Sequence, residues 1–139
     1  MSIIENAKRI ASRAHSGQHR RDGWMPYINH PAAVAERLAN ESPEVVATAW
    51  LHDVLEDTAM MRQDLYDAGI PASVVEAVHV LTKNDETEYA DYLSRVKAHP
   101  IACKVKVADM LANLADAPTE KQIVKYARGL LFLHNASDQ

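Results

Sequence analysis

Four residues near the middle of the sequence carry side chains that can bind a metal ion and move protons. His52 and Asp53 are adjacent, and Glu56 and Asp57 follow them closely. In a helix, positions 53, 56 and 57 are spaced i, i+3, i+4, so the three carboxylates would share one face. His52 would lie about 100° away around the axis, close enough for His52 and Asp53 to lean toward one point.

This placement of negative charge is unfavourable without a cation. Carboxylates at the C-terminal end of a helix face the negative end of its dipole, and they repel one another. Residues 45–51 are almost all apolar, which predicts a buried helix, and unpaired charges beside it would be costly. A divalent metal bound by His52 and Asp53 would remove that cost and leave Glu56 and Asp57 as neighbouring or catalytic acids. A helix end that emerges into solvent is the alternative explanation.

Further ligands must come from other parts of the chain, because two adjacent residues cannot complete a coordination sphere. His30 is the upstream candidate, placed between a polar loop and Pro31. Downstream, Asp109 and Asn113 are spaced i, i+4 in a largely apolar segment, and Lys106 lies one turn before Asp109.

The elements that position these residues are predicted to be helices. Apolar residues recur at helical spacing, and prolines mark several helix starts. The predicted helices cover residues 2–15, 31–40, 43–57, 62–68, 71–81, 87–99, 100–115 and 118–134, with a polar loop over 16–29. No alternating strand pattern, repeat or low-complexity linker is present. We therefore predict an all-α fold, a compact bundle of seven or eight helices.

Composition narrows the class of protein. A chain of 139 residues with 47% apolar and 24% charged residues predicts one globular domain. A net charge of −4 argues against nucleic-acid binding, and no apolar run indicates a signal peptide or a membrane span. Cys103 is the only cysteine, so no internal disulfide forms and a cytoplasmic location is expected. The apolar run 129–133 is interpreted as core or as a contact in a homo-oligomer.

The motifs around these residues resemble the HD superfamily of metal-dependent phosphohydrolases. They are most similar to the hydrolase domain of the RelA/SpoT type and to its small free-standing relatives, the alarmone hydrolases. Three blocks carry the resemblance: residues 14–31, with A-H-S-G-Q-H-R-R-D-G and P-Y-I-N-H-P, residues 51–58, L-H-D-V-L-E-D-T, and residues 106–114, K-V-A-D-M-L-A-N-L. They span most of the chain, which is therefore expected to be a single HD domain over residues 1–139.

The resemblance implies an all-α fold, a Mn²⁺ site and removal of the 3′-diphosphate from guanosine tetra- or pentaphosphate, (p)ppGpp. It implies four metal ligands, namely His30, His52, Asp53 and Asp109. It also implies that Glu56 and Asp57 position and deprotonate the attacking water. Substrate contacts are implied for Arg20 and Arg21 in the basic loop and for Asn113 in the nucleotide pocket.

The sequence departs from the family at two places. Trp24 and Met25 stand between Gly23 and Pro26 where the family usually has one residue, so the loop near the base is expected to differ in shape. Met110 replaces a basic residue that commonly follows the last metal-binding aspartate. No synthetase domain accompanies the HD motifs, so synthesis of the alarmone is not expected.

Three questions stay open from the residues alone. Two histidines and two carboxylates suit Mn²⁺, and also Fe²⁺, Co²⁺ or Zn²⁺. The substrate could be another nucleotide or a phosphorylated cofactor such as NADPH. A module that senses a nucleotide or a metal without catalysis is the alternative from a different class, although intact Glu56 and Asp57 argue against it.

Overall fold

The computed structural model describes residues 1–20 and 23–135, so Arg21 lies outside the described residues. In this part of the chain the regular elements are helices, apart from one isolated bridge between His19 and Pro26. The helices are α1 (Ile3–Ala14), α2 (Asn29–Arg37), α3 (Pro43–Leu51), α4 (Val54–Asp57), α5 (Arg62–Asp67), α6 (Ala72–Leu81), α7 (Tyr89–Lys97), α8 (Pro100–Leu114) and α9 (Glu120–His134). Eight of them have six residues or more and α4 is a single turn. The prediction of an all-α bundle of seven or eight helices is confirmed.

Local sequence signals account for where several helices start. The Ser42 side chain accepts a hydrogen bond from the backbone N–H of Val45, and Pro43 fills the first turn of α3, where its missing N–H is not needed. Thr119 and Gln122 form a reciprocal capping box at the start of α9. These caps satisfy backbone donors that a helix start otherwise leaves unpaired.

Helix α3 lies at the centre of the fold, as its unbroken apolar sequence predicts. It packs against α1, α2, α6 and α8. Val46 and Ala49 belong to one buried apolar cluster with residues of α2, α7 and α8, whereas Leu51 belongs to a second cluster with residues of α1, α5 and α6. The C-terminal end of α3 is therefore held on several sides, which fixes the direction in which the following residues point.

The predicted continuous helix over 43–57 is wrong at one place. The chain leaves helical geometry between Leu51 and Val54, where Asp53 has φ −104° and ψ 0°. The three carboxylates at 53, 56 and 57 therefore do not lie on one continuous helix, because Asp53 precedes the single turn α4. Helix α2 also starts at Asn29, so His30 lies inside the helix rather than in the loop before it.

Helix α9 packs against α8 through a close contact at Gly129. A Cβ at this position would lie 2.7 Å from Met110 Cε. Met110 is fully buried, so the residue that replaces the family's basic side chain is part of the core. Gly129 and Leu133 are buried, but Leu131 is 63% exposed, so only part of the apolar run is core. A homo-oligomer that covers the rest stays a prediction. None of the helices in the described segments combines the length and the apolar character needed to cross a membrane.

Candidate metal centre and phosphohydrolase site

The break after α3 directs two consecutive side chains to one place. In a continuous helix, neighbouring side chains diverge by about 100° around the axis. Here His52 is the last residue with helical backbone angles, and Asp53 adopts a different conformation before α4 begins. As a result, His52 Nε2 and Asp53 Oδ2 lie only 3.1 Å apart.

Side chains from α2 and α8 meet this pair. His30 Nε2 lies 2.7 Å from Asp109 Oδ1 and 3.9 Å from Asp53 Oδ2. His52 Nε2 lies 3.5 Å from the same Asp109 oxygen. His30, His52 and Asp109 are buried, and each offers one ligand atom within 4.8 Å of the others. The structure thus brings together all four residues that the resemblance implies as metal ligands.

The orientation of His52 fits a metal ligand. Its Nδ1 lies 2.7 Å from the carbonyl oxygen of Ala49, so Nδ1 is the nitrogen that donates a hydrogen bond to the backbone. Its Nε2 is buried among the described residues without a hydrogen-bond partner of good geometry and faces the two carboxylates. An imidazole held by a backbone carbonyl, with the other nitrogen directed at carboxylates, is the arrangement found in many metal sites.

The buried carboxylates of this cluster favour the binding of a cation. Burial alone would lower the pKa of His52, but Asp53 and Asp109 outweigh burial and hold that pKa well above its ordinary value. Burial likewise opposes ionisation of Asp109, but the Lys106 ammonium and His52 hold its pKa well below the usual range. The buried carboxylates therefore attract positive charge, which a divalent metal supplies in place of a proton.

Tyr27 and Lys106 each contact one carboxylate of the cluster. The Tyr27 hydroxyl donates a hydrogen bond to Asp53 Oδ2 at 2.5 Å, and burial and the Asp53 charge raise the pKa of Tyr27, so it stays protonated. Lys106 Nζ donates to Asp109 Oδ2 at 3.0 Å. Sequence reasoning placed Lys106 only as a neighbour of Asp109 and did not single out Tyr27. The signal for Tyr27 was its place in P-Y-I-N-H-P, three residues before His30.

Glu56 and Asp57 lie on α4 at two sides of the cluster. Glu56 lines the cavity in front of the cluster, and its Oε1 accepts a hydrogen bond from the backbone N–H of Lys83 at 3.0 Å. Asp57 Oδ2 lies 3.3 Å from the Tyr27 hydroxyl. Burial raises the pKa of both carboxyl groups, and the Asp53 charge adds to the effect. A raised pKa makes a carboxylate a better proton acceptor.

The structure also places Arg20 and Asn113 together beside the metal centre. Arg20 Nη2 donates to Asn113 Oδ1 at 3.4 Å and pairs with Asp116 Oδ2 at 2.8 Å. Asn113 Nδ2 donates to Asp109 Oδ1 at 3.2 Å, so Asn113 contacts a candidate metal ligand directly. Neither Arg20 nor Asn113 lines the cavity that contains Glu56. Trp24, one of the two residues between Gly23 and Pro26, is 70% exposed and extends away from the core.

The cavity in front of the cluster is lined by two lysines, Lys83 and Lys125, that sequence reasoning did not single out. Its volume is about 520 Å³, and it is lined by His52, Asp53, Glu56, Leu81, Lys83, Tyr89, Tyr92, Lys106, Asp109 and Lys125. Lys83 and Lys125 come from the loop after α6 and from α9, outside the three motif blocks. No short-range signal joins them to the metal site, because only the packing of α9 beside α7 and α8 brings Lys125 there.

Comparison with known proteins finds relatives that are named as hydrolases. No family model matches the chain. The zebrafish (Danio rerio) guanosine-3′,5′-bis(diphosphate) 3′-pyrophosphohydrolase MESH1 is 31% identical over 123 residues, which cover 82% of this chain and 68% of that protein. The Vibrio cholerae guanosine-3′,5′-bis(diphosphate) 3′-pyrophosphohydrolase is 43% identical over 84 residues, 59% of this chain but only 12% of that protein. The chain therefore matches a small part of the long bacterial relative.

The fold is similar to that of a metazoan ortholog of SpoT that hydrolyses ppGpp. The TM-score is 0.79 at 25% identity, over 96% of this chain and 85% of that chain. The His30, His52 and Asp109 cluster, together with hydrolase relatives, implies a divalent metal at this place. The chain belongs to the family of HD-type, RelA/SpoT-like (p)ppGpp hydrolases.

Proposed function

We propose that this chain is a (p)ppGpp 3′-pyrophosphohydrolase, which removes the 3′-diphosphate by attack of water. The observation that carries the proposal is the convergence of His30, His52, Asp53 and Asp109 on one point, next to a cavity that holds Glu56. These residues come from three separate segments, and a purely structural role for so many buried charges would be costly.

We propose His30, His52, Asp53 and Asp109 as the ligands of Mn²⁺. The mixed nitrogen and oxygen donor set suits this metal, although ligand type alone also suits neighbouring transition metals. A bound metal would lower the pKa of a coordinated water molecule and polarise a phosphoryl oxygen. Metal-free protein reconstituted separately with Mn²⁺, Fe²⁺, Co²⁺ and Zn²⁺ tests the assignment, which fails if Mn²⁺ gives no more hydrolysis than the others.

Glu56 and Asp57 are the proposed proton acceptors. Their raised pKa values improve proton acceptance from water, and both groups lie beside Asp53. Glu56 lines the cavity, and its Oε1 accepts a hydrogen bond from the Lys83 backbone, which holds the side chain in place. Presence of these acids in the site supports catalysis over a sensing role, because simple binding of an anionic nucleotide gains nothing from two further carboxylates.

The lysines in the cavity support a substrate with a second anionic group. Among the described residues, neither Lys83 nor Lys125 forms an ion pair with a carboxylate, whereas Lys106 is paired with Asp109. Burial and the charges of Lys106 and Lys83 lower the pKa of Lys125, and the opposing effect of Asp109 is smaller. A nucleotide with phosphates at both its 3′ and 5′ positions provides one group for the metal and one for these lysines.

Arg20 and Asn113 are proposed to contact the nucleotide from the opposite side of the metal centre. Their mutual hydrogen bond and the Asn113 contact with Asp109 support this proposal. Arg21, which lies outside the described residues, is proposed as a second cation of the same loop. Replacing Arg20 with Gln should raise KM more than it lowers kcat, because a binding contact is removed and the metal ligands stay.

The product distinguishes the proposal from its alternatives. Purified protein with Mn²⁺ should convert ppGpp to GDP and pppGpp to GTP, with release of pyrophosphate. Preferential hydrolysis of NADPH with release of orthophosphate would favour a phosphorylated cofactor as the substrate. Tight binding of ppGpp without metal-dependent turnover would favour a sensing module, and either result would refute the proposal.

A further inference from the structure

Tyr27 is held rigidly beside the metal centre by contacts around its ring. Its backbone N–H donates to the carbonyl oxygen of Gln18 at 2.8 Å. Its ring centroid lies 4.9 Å from that of the buried His15 and 6.0 Å from that of His30. The Arg20 guanidinium carbon lies 5.8 Å from the ring centroid. These backbone and ring contacts fix the position of the Tyr27 hydroxyl independently of its hydrogen bonds to carboxylates.

This hydroxyl lies between two carboxylates. It donates to Asp53 Oδ2 at 2.5 Å and is 3.3 Å from Asp57 Oδ2. The same Asp53 oxygen faces His52 Nε2 at 3.1 Å. A carboxylate oxygen has two lone-pair directions, and the phenol occupies one of them. The same oxygen therefore contacts the phenol and also faces His52 within the cluster.

The chemical type of this donor differs from the donor on Asp109. Lys106 contributes a positive charge to Asp109 and competes with a metal for its negative charge. Tyr27 donates a hydrogen bond without a charge, so it orients Asp53 and weakens its attraction for a cation less than a charged donor would. A neutral donor of this kind fixes the ligand at little electrostatic cost.

We propose that Tyr27 is a positioning residue that holds Asp53 in the orientation needed to bind the metal and, through the same hydroxyl, keeps Asp57 beside it. The inference rests on the proposed function only in requiring that the cluster binds a metal. Tyr27 itself makes no bond to the metal or to the reacting atoms.

The direct test is Mn²⁺ binding to Tyr27→Phe, measured by calorimetry on the metal-free chain without substrate. Phe keeps the ring and its packing and removes only the hydroxyl. The affinity should fall by about 10- to 100-fold, as is typical when a hydrogen-bond partner of a metal ligand is lost. The electron paramagnetic resonance spectrum of bound Mn²⁺ should change as well, because the ligand field of Asp53 changes.

Tyr66→Phe is the matched control. Tyr66 also donates its hydroxyl to a carboxylate, at 2.7 Å from Glu76 Oε2, but on α5 and α6 away from the cluster. It should leave Mn²⁺ affinity and the spectrum unchanged. Equal Mn²⁺ affinities for Tyr27→Phe and Tyr66→Phe would overturn the inference.

A double-mutant cycle separates positioning from a general effect on folding. If Tyr27 acts through Asp53, Tyr27→Phe should change Mn²⁺ affinity much less when Asp53→Asn is already present. Additive losses would overturn the inference even if Tyr27→Phe proves less stable. The Mn²⁺ binding measurements use no nucleotide, so they do not depend on hydrolysis. A wild-type chain that binds Mn²⁺ but does not hydrolyse ppGpp would therefore refute the proposed function and leave this test valid.

Discussion

Two lysines on α8 provide a sharp test of how the charges at the metal centre are balanced. Lys106 pairs with Asp109 at 3.0 Å, with side-chain exposures of 16% and 9%. Lys104, two residues earlier, pairs with Glu41 at 2.7 Å, with exposures of 53% and 39%. The two pairs are similar in length and differ in burial. Substituting each lysine with Met keeps most of the aliphatic stem and removes one charge.

The magnitudes differ because solvent screens one pair and not the other. Removing one partner of a buried ion pair costs about 3–5 kcal/mol, since the other charge stays buried. In Lys106→Met, Asp109 keeps hydrogen bonds with His30 and Asn113, so we expect a loss of stability at the lower end of this range, about 3 kcal/mol. Loss of an exposed pair costs about 0–1 kcal/mol. For a chain of this size, about 3 kcal/mol corresponds to a fall in Tm of about 10 °C.

Urea and thermal unfolding of the metal-free variants measure the difference. Lys106→Met should be clearly less stable than Lys104→Met at neutral pH. Asp109 has a depressed pKa in the folded chain, so its stabilising contribution is present above the unfolded value of about 3.9 and is lost as the pH falls below it. The difference in the free energy of unfolding between wild type and Lys106→Met should therefore become smaller at acidic pH. Added Mn²⁺ should make the same difference smaller at neutral pH. Equal stability of the two variants would refute the account of the buried charges.

Four further outcomes follow from the geometry. Asp53→Ala should weaken Mn²⁺ binding strongly and abolish hydrolysis, and wild-type values for both would contradict its role as a ligand. Glu56→Gln and Asp57→Asn should retain Mn²⁺, and the variant that removes the general base should lower kcat by about 10²–10⁴-fold; normal kcat in both would place the base elsewhere. Because the pKa values of Glu56 and Asp57 are raised, the acidic limb of a kcat profile should lie above the ordinary carboxyl range of about 3.9–4.3. Gly129→Ala should destabilise the chain by about 1–2 kcal/mol despite better helix propensity, because the new Cβ meets Met110 Cε. The penalty should shrink in a Met110→Ala background, and simple additivity of the two changes would contradict the contact.

The helix pattern and the residues that converge at the cluster were the predictable part of this protein. Helical apolar spacing and the prolines placed the elements within a few residues, because burial and backbone restriction act locally. The motif blocks also named the four residues that converge at the cluster. A local pattern could not show the break after Leu51, because the residues there are compatible with a helix and packing of α3 on four sides decides its end.

The cavity beyond the metal cluster was not predictable from one sequence. Lys83 and Lys125 have no motif around them, and their approach to the site depends on how α7, α8 and α9 pack. His15, which directly follows α1, is buried against Tyr27, and no local pattern indicates this contact. Long-range packing determines both features, and periodicity carries no information about it.

His30 and Asp109 are far apart in the sequence, so metal binding at their site depends on folding of the chain as a whole. The two side chains meet at 2.7 Å although 79 positions separate them, so the centre exists only after α2, α3 and α8 have docked. A metal ion bound there acts as a cross-link between distant segments, since the unfolded chain offers only the adjacent His52 and Asp53. Metal concentration should therefore control the equilibrium between folded and unfolded protein, with stability rising as RT ln(1 + [metal]/Kd). A chelator would then lower the population of folded chains as well as the rate of turnover.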